Sequence, residues 1–468
     1  MNIKHSEIKM DNENPFANCK LDRQKYANIL TNIIKSYPAG FVLALNNKWG
    51  TGKTTFVKMW QKDLENQNFK TLYFNAWEND FENDPLTALM GELKTLTKTG
   101  AELKFKDTLK HAAVLTKNIA PLVVKAVADR YVDTNKVTDI IVGVTKGLSE
   151  VFEHEVQEYA KKKKSISDFK QSLSKFIENS SGGKPLIFFV DELDRCRPNY
   201  AVSILEQIKH FFSVPNIVFV LSIDKGQLGG AIKGVYGSDE IDSDEYLRRF
   251  IDLEYSIPDP KPDLFFNYLY NFFQFDDFFM SPERVKHRGL SSDKSNFIKT
   301  CELLFADTSV PLRQQEKIFA HSRLALRSFT LNMYVTPHIF LLLTFIKIRH
   351  NAFYELMKSR SLSIREVQEK FLNIIKIGID ENTVRPLMLL ELGLINTYNN
   401  SLPDNKKAIY EEDPELHKEK PRITSIIGNE PSSTKSILEI IHTRGSREGE
   451  LKLSHYTNRI DLLEEMET

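Results

Sequence analysis

The chain has 468 residues, which at roughly 150 residues per domain is enough for two or three domains with a substantial core. Hydrophobic residues make up 41% and charged residues 27%, a balance that excludes a disordered chain and indicates a globular one. The 63 basic and 63 acidic residues cancel. The chain therefore lacks the overall positive field of many nucleic-acid-binding proteins, although a local basic patch stays open.

Neither a leader peptide, nor a membrane span, nor a cysteine-based site is predicted. Cys19, Cys196 and Cys301 lie far apart and lack the paired spacing of zinc sites and disulfide frameworks. The first 14 residues are polar and lack the apolar core of a signal peptide. The longest apolar runs, Ile119–Ala128 and Ile339–Phe345, are shorter than the roughly 20 residues that span a bilayer. We therefore predict a cytoplasmic protein in a reducing compartment.

Apolar runs predict the strands of a parallel sheet. These runs are Phe41–Asn46, Thr71–Asn75, Leu186–Val190, Ile217–Ser222 and Phe250–Tyr255. The continuous apolar character of Leu186–Val190 and Ile217–Ser222 is typical of strands that are buried on both faces. Helical patterns lie between them, one beginning near Gly52 and others covering Val202–Phe212 and Tyr246–Arg249. This alternation predicts a three-layer α/β fold, in which ligands bind at the carboxyl ends of the strands.

The other segments are predicted to be helical additions to this core. The predicted parts are a nucleotide-binding core made of residues 1–100 and 184–260, a helical insertion at 101–183, a helical lid or C-terminal domain at 261–400, and a polar, loosely ordered and partly helical tail at 401–468. Within the C-terminal domain, helices are predicted at Leu264–Phe273, Pro311–Leu331 and Pro337–His350.

A phosphate-binding loop is predicted directly after the first strand. The segment Asn47–Thr54 reads Asn-Lys-Trp-Gly-Thr-Gly-Lys-Thr and opens a helix, the context that such a loop requires. Its two glycines permit a tight backbone, Lys53 supplies a cation for the phosphates, and Thr54 supplies a hydroxyl for Mg²⁺. Asn47 stands where a first glycine is usual, and asparagine tolerates positive φ better than most residues. The predicted nucleotide-binding residues are Asn47, Trp49, Gly50, Thr51, Gly52, Lys53, Thr54 and Thr55.

An acidic pair follows the predicted strand Leu186–Val190. Asp191 is predicted to hold Mg²⁺ through its water shell, and Glu192 to position and polarise the attacking water. Asp194 and Arg195 come next and are predicted either to form a local ion pair that orders the turn or to take part in catalysis. Together with the phosphate loop, the pair predicts a nucleotide hydrolase. No guanine-specific Asn-Lys-x-Asp motif is evident, which favours ATP.

These motifs, taken with neighbouring segments, resemble the KAP family of P-loop NTPases. The segments are Trp49 within the loop, Phe74–Glu78 after the second strand, Asp191–Arg195, and Tyr246–Phe250 ahead of Pro258. The resemblance covers roughly Asn14 to Arg327 and implies the STAND and AAA+-like branch of P-loop folds. Members of the family commonly carry membrane helices between the two nucleotide motifs, whereas the insertion in this chain is too polar for them.

The resemblance implies further residues around the γ-phosphate. Asp224 lies where related ATPases place a polar residue that senses this phosphate; Ser222 is the alternative sensor, and a helix N-cap is the alternative role of Asp224. Arg248 and Arg249 lie where AAA+-like proteins offer an arginine to the nucleotide of a neighbouring subunit. Arg249 is predicted for that role, which requires a homo-oligomer, and a surface ion pair is expected for at least one of the two.

A lid arginine is also implied. The segment Leu312–Lys317 resembles the family's lid helix, in which an arginine reaches the γ-phosphate. Arg313 is predicted for this role, with Arg323 and Arg327 as alternatives.

Two other parts of the resemblance have plainer predicted roles. Asn14–Phe16 and Asp22-Arg23 resemble the segment that flanks the base in such enzymes, but an ordinary capped helix start is preferred. Trp77 is expected to fill core space, since aromatic residues at strand ends usually pack. Support of the sheet end that carries Glu192 is the alternative role of Trp77.

The leading functional hypothesis is an ATP-driven conformational switch that acts on a protein partner. The resemblance implies a setting in bacterial defence against phages or plasmids. One alternative is a scaffold that retains ATP with little turnover, for which Asn47 is the only sequence support. Another is the ATPase subunit of a complex that acts on nucleic acid, with Lys161–Lys164 and Lys358–Arg360 contacting phosphates. Such charge runs are usually solvated faces, so nucleic acid stays an open alternative.

Overall fold

The computed structural model describes residues 10–81, 84–99, 102–112, 147–211, 214–238, 240–287, 289–306, 310–403, 409–413, 418–428, 430–443 and 449–465. They divide into two compact units, a first within Ile8–Pro258 and a second within Asp259–Thr468. The first unit contains the predicted phosphate loop and the acidic pair.

The first unit alternates helices and strands. Its elements are α1 (Gln24–Ser36), β1 (Phe41–Asn46), α2 (Lys53–Asn66), β2 (Lys70–Asn75), α3 (Pro85–Lys94), α4 (102–112), α5 (Gly147–Ser180), β3 (Leu186–Asp191), α6 (Pro198–Phe211), β4 (Ile217–Ile223), α7 (Lys225–Tyr236), α8 (Ser243–Arg248) and β5 (Leu253–Tyr255). Short 3-10 turns lie at Thr95–Thr99 and Leu193–Arg195.

The five strands form one parallel sheet in the order β2-β3-β4-β1-β5. β4 lies between β1 and β3 and pairs with both, so that Asn46 lies opposite Ile223 and Asp191 lies opposite Ser222. The carboxyl ends of these three strands are therefore level with one another. The loop after β1 and the acidic pair after β3 lie at the same edge of the sheet, on either side of the end of β4.

Helices cover both faces of this sheet. On one face, Phe56 and Trp60 of α2 pack in a buried cluster with Phe189 of β3 and Val220 of β4. The other face is covered by α3, α5, α6 and α7, which contribute among others Leu86, Phe169, Leu205 and Leu228. Burying each large apolar side chain stabilises the fold by about 1.5–3 kcal/mol, which is why the strands are apolar on both faces. The predicted three-layer α/β core is confirmed.

β5 is shorter than the predicted strand Phe250–Tyr255, whereas the other four strands lie within one residue of their predicted bounds. The amides of Phe250 and Ile251 donate to the carbonyl of Leu247, at 2.9 and 3.1 Å. These two residues therefore close the end of α8 and do not join the sheet. The prediction was wrong there because an apolar run does not distinguish a buried helix end from a strand.

The insertion predicted at 101–183 is helical at 102–112 and at Gly147–Ser180. The ring centroids of Phe105 in α4 and Phe176 in α5 lie 5.3 Å apart, and both side chains are buried in the core of the first unit. The rest of the predicted insertion, residues 113–146 with the apolar run Ile119–Ala128, lies outside the described residues.

The second unit is mainly helical. Its described elements are α9 (Pro262–Phe272), α10 (Asp276–Phe279), α11 (Pro282–Lys286), α12 (Asp293–Leu304), α13 (Leu312–Ala325), α14 (Pro337–Arg349), α15 (Asn351–Lys358), α16 (Ile364–Ile374), α17 (Val384–Asn399), the antiparallel strands β6 (Tyr410–Asp413) and β7 (Lys418–Pro421), α18 (Pro431–Thr443) and α19 (Leu453–Ile460).

α14 is buried almost all round. Every residue from Pro337 to Ile346 is buried, as expected for a helix that is apolar on all sides and lies inside a domain. It contains the apolar run Ile339–Phe345 and is 13 residues long. Within the described ranges, none of the helices combines the length and the apolar character needed to cross a membrane.

The predicted tail beyond residue 400 packs on this unit through α19. Asp461, directly after α19, accepts hydrogen bonds from Lys347 at 2.7 Å, from Lys358 at 2.6 Å and from Tyr354 at 3.1 Å. Burial alone would raise the pKa of Asp461, but the hydrogen bonds from the two lysines outweigh it and hold this pKa below its usual range. The carboxylate thus joins the C-terminal helix to α14 and α15.

Removing this charge in Asp461→Asn is expected to lower the free energy of unfolding at neutral pH by about 1–3 kcal/mol, because Lys347 and Lys358 lose a charged acceptor. Since the pKa is depressed in the folded state, this stabilisation is present above the unfolded pKa of about 3.9 and is lost as the pH falls below it. Thermal melts of parent and variant should therefore converge in acid.

The control for this substitution is Glu369→Gln, which removes one partner of the exposed ion pair between Arg365 and Glu369. Exposed pairs of this kind contribute about 0–1 kcal/mol. Equal melting temperatures for Asp461→Asn and Glu369→Gln would contradict a stabilising role of Asp461.

Candidate nucleotide site

The loop Asn47–Thr54 leads from β1 directly into α2. Gly50 and Gly52 have φ values of 78° and 81°, a left-handed conformation that residues with a Cβ rarely adopt. α2 begins at Lys53, so the backbone amides at the end of the loop lie at the N-terminus of a helix. Such an N-terminus favours anions, and phosphates above all.

Arg23 lies against this loop from the side of α1. Its Nη1 donates to the carbonyl of Gly52 at 3.3 Å, and a Cβ on Gly52 would lie 3.1 Å from the same nitrogen. α1 starts with Arg23 at its N-cap position and without a side-chain cap. The capped helix start expected at Asp22-Arg23 is therefore wrong, and the guanidinium supports the loop instead.

Asn47 does not use the positive φ that its residue type tolerates. Within the described part of the loop only Gly50 and Gly52 have positive φ. The Asn47 side chain instead pairs with the main chain after β5: Nδ2 donates to the carbonyl of Ile257 at 2.7 Å, and Oδ1 accepts from its amide at 2.9 Å. Asn47 thereby fixes the start of the loop to the neighbouring chain segment, which a glycine would not do.

Lys53 lies half-buried under the loop. Its ammonium donates to the carbonyl of Asn47. Burial lowers the pKa of Lys53. The carboxylates of Asp194, Asp224 and Asp191 oppose this shift, so that three negative groups surround the ammonium. The site therefore holds a cation at the helix N-terminus and acidic groups around it.

The threonines of the loop differ in their surroundings. Thr51 donates its hydroxyl to the carbonyl of Lys48 at 2.9 Å, which closes the loop locally. Thr54 is half-buried in the first turn of α2, whereas Thr55 beside it is exposed. Of these three threonines, Thr54 is thus the one whose hydroxyl could act as a ligand of a buried cation.

Asp191 ends β3 and is only 1% exposed. One carboxylate oxygen accepts from the hydroxyl of Tyr73 on β2 at 2.9 Å, and the other accepts from the amide of Glu192 at 2.9 Å. Burial raises the pKa of Tyr73, and the charge of Asp191 adds to this rise. Tyr73 therefore stays protonated and orients the carboxylate. Tyr73 was not predicted as a site residue, because its contact with Asp191 depends on the pairing of β2 with β3.

Glu192 has a φ of 60°, in the left-handed region that non-glycine residues seldom occupy. Strained backbone of this kind is typical of functional sites. Burial raises the pKa of Glu192, while the charge of Arg195 and a hydrogen bond with Asn75 oppose the shift. Arg195 forms an ion pair with Glu192. The carboxylate is thus held by a guanidinium from its own turn.

Asn75, within the segment Phe74–Glu78, lies at the end of β2 beside the acidic pair. Its Oδ1 accepts from the amides of Trp77 and Glu78, at 3.1 and 3.3 Å. These bonds fix the side-chain amide at the end of β2, where its other end faces Glu192. The polar type at a strand end was the available signal, but the partner depends on the β2–β3 register.

Asp194 is paired with the loop and not with Arg195. Its carboxylate accepts a hydrogen bond from the indole N–H of Trp49, whereas Arg195 pairs with Glu192. The predicted local ion pair between Asp194 and Arg195 is therefore wrong. In the 3-10 turn Leu193–Arg195 the two side chains point to different partners, because three residues complete one turn of such a helix.

Asp224 has the N-cap role that was left open for it, and it also contacts the loop. Its Oδ1 caps α7 by accepting from the amide of Gln227 at 3.3 Å. Its Oδ2 accepts from the amide of Trp49 at 3.2 Å. The residue after β4 thus touches the phosphate loop directly, and a role in sensing a phosphate stays a prediction.

The arginines predicted to act on the nucleotide are placed differently. Arg248 forms an ion pair with Glu245 at 2.8 Å, the surface role expected for one of the pair. Arg249 is exposed and makes no ion pair within the described part of the chain. Arg248 ends the short helix α8 and Arg249 follows it, ahead of β5. The action of Arg249 on a neighbouring subunit stays a prediction.

The candidates for the lid arginine lie in the second unit. Arg313 is exposed in the first turn of α13. Arg323 is engaged within its own unit, where Nε donates to the carbonyl of Phe273 at 3.0 Å. Arg327 is exposed after α13. The role of Arg313 stays a prediction, with Arg327 as its exposed alternative.

Trp77 is 54% exposed, so the expectation that it fills core space is wrong. The segment after β2 turns outward because Asp80 is tied to Arg197 beyond β3. Asp80 accepts from the backbone amide and from Nε of Arg197, both at 2.7 Å. This tie joins the segments that follow β2 and β3, and it leaves the indole of Trp77 at the surface.

The residues at this edge fit a nucleotide with Mg²⁺. Ser222 is 1% exposed, lies opposite Asp191 in the sheet, and its hydroxyl has no hydrogen-bond partner among the described residues. A buried polar group left unsatisfied costs about 1–3 kcal/mol, a cost that a bound phosphate or hydrated metal would remove. No three or more His, Cys, Asp or Glu side chains in the described ranges form a metal cluster. Mg²⁺ usually binds through one or two carboxylates together with phosphates, and Asp191 supplies a buried carboxylate at this edge.

The chain matches a known family of proteins. The profile of a family described as "KAP family P-loop domain" matches residues 23–376, well over half of the chain. An uncharacterized protein of Methanocaldococcus jannaschii is 31% identical over 144 residues, which are 28% of this chain and 72% of that protein.

A solved structure, described as that of the Aeropyrum pernix ORC2 protein in ADPNP-ADP complexes, is also similar. It has 11% sequence identity and a TM-score of 0.35, over 93% of this chain and 97% of that chain. A likeness at this level bears on neither substrate nor assembly.

Proposed function

We propose that this chain, which belongs to the KAP family of P-loop NTPases, binds ATP with Mg²⁺ and hydrolyses it. The observation that carries the proposal is the meeting of three groups at one edge of the sheet. They are Lys53 at the N-terminus of α2, the buried carboxylate of Asp191, and Glu192 held at a φ of 60°. Phosphoryl transfer needs a cation, a metal ligand and a group that orients water in this kind of arrangement.

Binding of the phosphates would fall to the loop and to the start of α2. The backbone amides beside Gly50 and Gly52 and the ammonium of Lys53 would hold the β- and γ-phosphates. Thr54 and Asp191 would hold Mg²⁺, the latter through water. When bound, Mg²⁺ neutralises charge on the phosphates and orients them for in-line attack.

Hydrolysis would depend on Glu192 as the general base. Its raised pKa makes it a better proton acceptor than an ordinary glutamate. Asn75 and Arg195 would orient its carboxylate toward the attacking water. Arg249 of a second copy and the lid arginine Arg313 would add positive charge as the γ-phosphate leaves.

The wider role rests on the family resemblance. ATP binding and hydrolysis would drive a conformational switch that a protein partner reads, in the cytoplasm and in defence against phages or plasmids. The exposed Trp77 beside the site supports contact with a partner, because an exposed tryptophan is a common anchor of interfaces.

The test is release of inorganic phosphate from ATP, measured with Mg²⁺ and with EDTA. The parent protein should release phosphate only with Mg²⁺, and Thr54→Ala should lower the rate by about 10- to 100-fold through loss of a metal contact. Thr87→Ala is the matched control, since Thr87 is an exposed threonine in the first turn of α3. Folded parent protein that releases no phosphate with Mg²⁺ would overturn the proposed hydrolysis.

A second candidate is a scaffold that keeps ATP and turns it over very slowly. The ion pair between Glu192 and Arg195 favours it, since a carboxylate held by a guanidinium is a weaker base for water. Arg195→Ala separates the two. A faster release of phosphate in Arg195→Ala than in the parent supports the scaffold, whereas a slower release supports an orienting Arg195 in an active ATPase.

A further inference from the structure

We propose, on the basis of the nucleotide binding proposed above, that Asp194 is a positioning residue that fixes the phosphate loop by holding the indole of Trp49. Asp194 would not touch the nucleotide. It would act through Trp49, whose backbone amide is part of the loop that surrounds the phosphates.

Trp49 is held at two points by carboxylates from two different strand ends. Its indole N–H donates to Asp194, in the turn after β3. Its backbone amide donates to Asp224, in the turn after β4, at 3.2 Å. Two anchors on one residue restrict both the path of the backbone and the rotation of the side chain. The middle of the loop is therefore set by the sheet and not only by its own glycines.

The two partners of this hydrogen bond differ in burial, and Asp194 is the more buried one. Asp194 is 8% exposed, whereas Trp49 is 43% exposed. The indole nitrogen is a donor only, so it can satisfy one oxygen of the buried carboxylate. Burial raises the pKa of Asp194, and the hydrogen bond from Trp49 opposes this rise. The tryptophan is thus held at the surface by a bond to the interior.

The same turn also holds the proposed general base. Leu193–Arg195 is a single 3-10 turn, closed by the amide of Arg195 donating to the carbonyl of Glu192 at 3.0 Å. Within it Asp194 holds the loop and Arg195 pairs with the carboxylate of Glu192. A displacement of the loop would therefore move the turn that orients the base, which links phosphate binding to hydrolysis.

The bond itself is tested without nucleotide, by NMR of protein labelled with ¹⁵N in its three tryptophans. The indole signal of Trp49 is assigned by its loss in Trp49→Phe. Asp194→Ala should shift this signal and leave that of Trp77 in place, because in the described part of the chain the exposed Trp77 indole donates to no protein atom. An unchanged Trp49 signal in folded Asp194→Ala overturns the proposal.

The positioning role is tested by the affinity for an ATP analogue that carries a fluorescent methylanthraniloyl group. Trp49→Phe and Asp194→Ala should each weaken binding by about tenfold, the size of one hydrogen bond to a charged group. The double variant should bind no more weakly than either single one, since both remove the same bond. Asp194→Asn keeps an acceptor and should recover part of the affinity, and Trp77→Phe should bind like the parent.

The failures are distinguishable. Losses that multiply in the double variant, or parent-like binding by Trp49→Phe, overturn positioning through Asp194 while leaving ATP binding intact. A parent protein that does not bind the analogue contradicts the proposed nucleotide binding, and with it the positioning role, whatever the NMR spectra show of the bond.

Discussion

Replacing the carboxylate of Glu192 by an amide, in Glu192→Gln, is expected to slow ATP hydrolysis by roughly 10²- to 10⁴-fold while ATP still binds. The amide cannot accept a proton from water, so the base is lost. Its oxygen still accepts from Arg195, and the side chain keeps its volume, so the strained turn at a φ of 60° should persist. Phosphate release under saturating ATP and equilibrium binding of ATP measure the two effects separately.

The control for this substitution is Glu178→Gln, an exposed glutamate on α5 outside the site. It should hydrolyse ATP like the parent. Hydrolysis by Glu192→Gln at the parent rate would remove Glu192 as the base. A loss of ATP binding as large as the loss of rate would instead show that Glu192 maintains the structure of the site and does not act as the base.

The sheet and its functional edge were predictable because they depend on patterns that are local in sequence. The apolar run that ends in Asp191 and the glycine-containing loop before Lys53 can both be recognised from residues that are adjacent in sequence. Parallel strands bring their carboxyl ends to one edge, so the loop and the acidic pair were expected to meet there. The order β2-β3-β4-β1-β5, which sets one strand between them, confirms that meeting.

The partners of individual side chains were not predictable in the same way. Asn47 was expected to supply backbone freedom, but it bonds to Ile257, which is 210 residues away in sequence. Arg195 pairs with Glu192 and Asp194 with Trp49, because a 3-10 turn directs successive side chains to different sides. Such contacts follow from strand register and turn geometry, and neither is readable from residue types alone.

The position of Trp77 was predicted wrongly, because the side chain is exposed and not buried. A tryptophan at a strand end usually packs, so burial was the reasonable expectation. The segment is turned outward by the tie between Asp80 and Arg197, whose partners come from segments 117 residues apart. An exposed position therefore depended on a polar contact that the local sequence does not show.

Removing the ammonium of Lys53, in Lys53→Ala, is expected to weaken ATP binding by about 30-fold or more, because a half-buried charge partner of the phosphates costs about 2 kcal/mol or more when it is truncated. Burial has already removed much of the water around this ammonium, which is why its pKa is lowered. A desolvated cation gains more from a phosphate than an exposed one does. Titration calorimetry with ATP and Mg²⁺ measures the loss.

Lys62→Ala is the matched control, since Lys62 lies at the other end of the same helix α2 in an exposed ion pair with Glu65. It should bind ATP like the parent. Lys53→Arg adds a second comparison. The guanidinium of the arginine keeps the positive charge, but it is planar and extended and cannot replace the compact ammonium under the loop. ATP affinity that is unchanged in folded Lys53→Ala would show that the phosphates do not bind at the N-terminus of α2. Weak binding by both Lys53→Ala and Lys53→Arg, with parent-like binding by Lys62→Ala, would show that the phosphates bind at the N-terminus of α2.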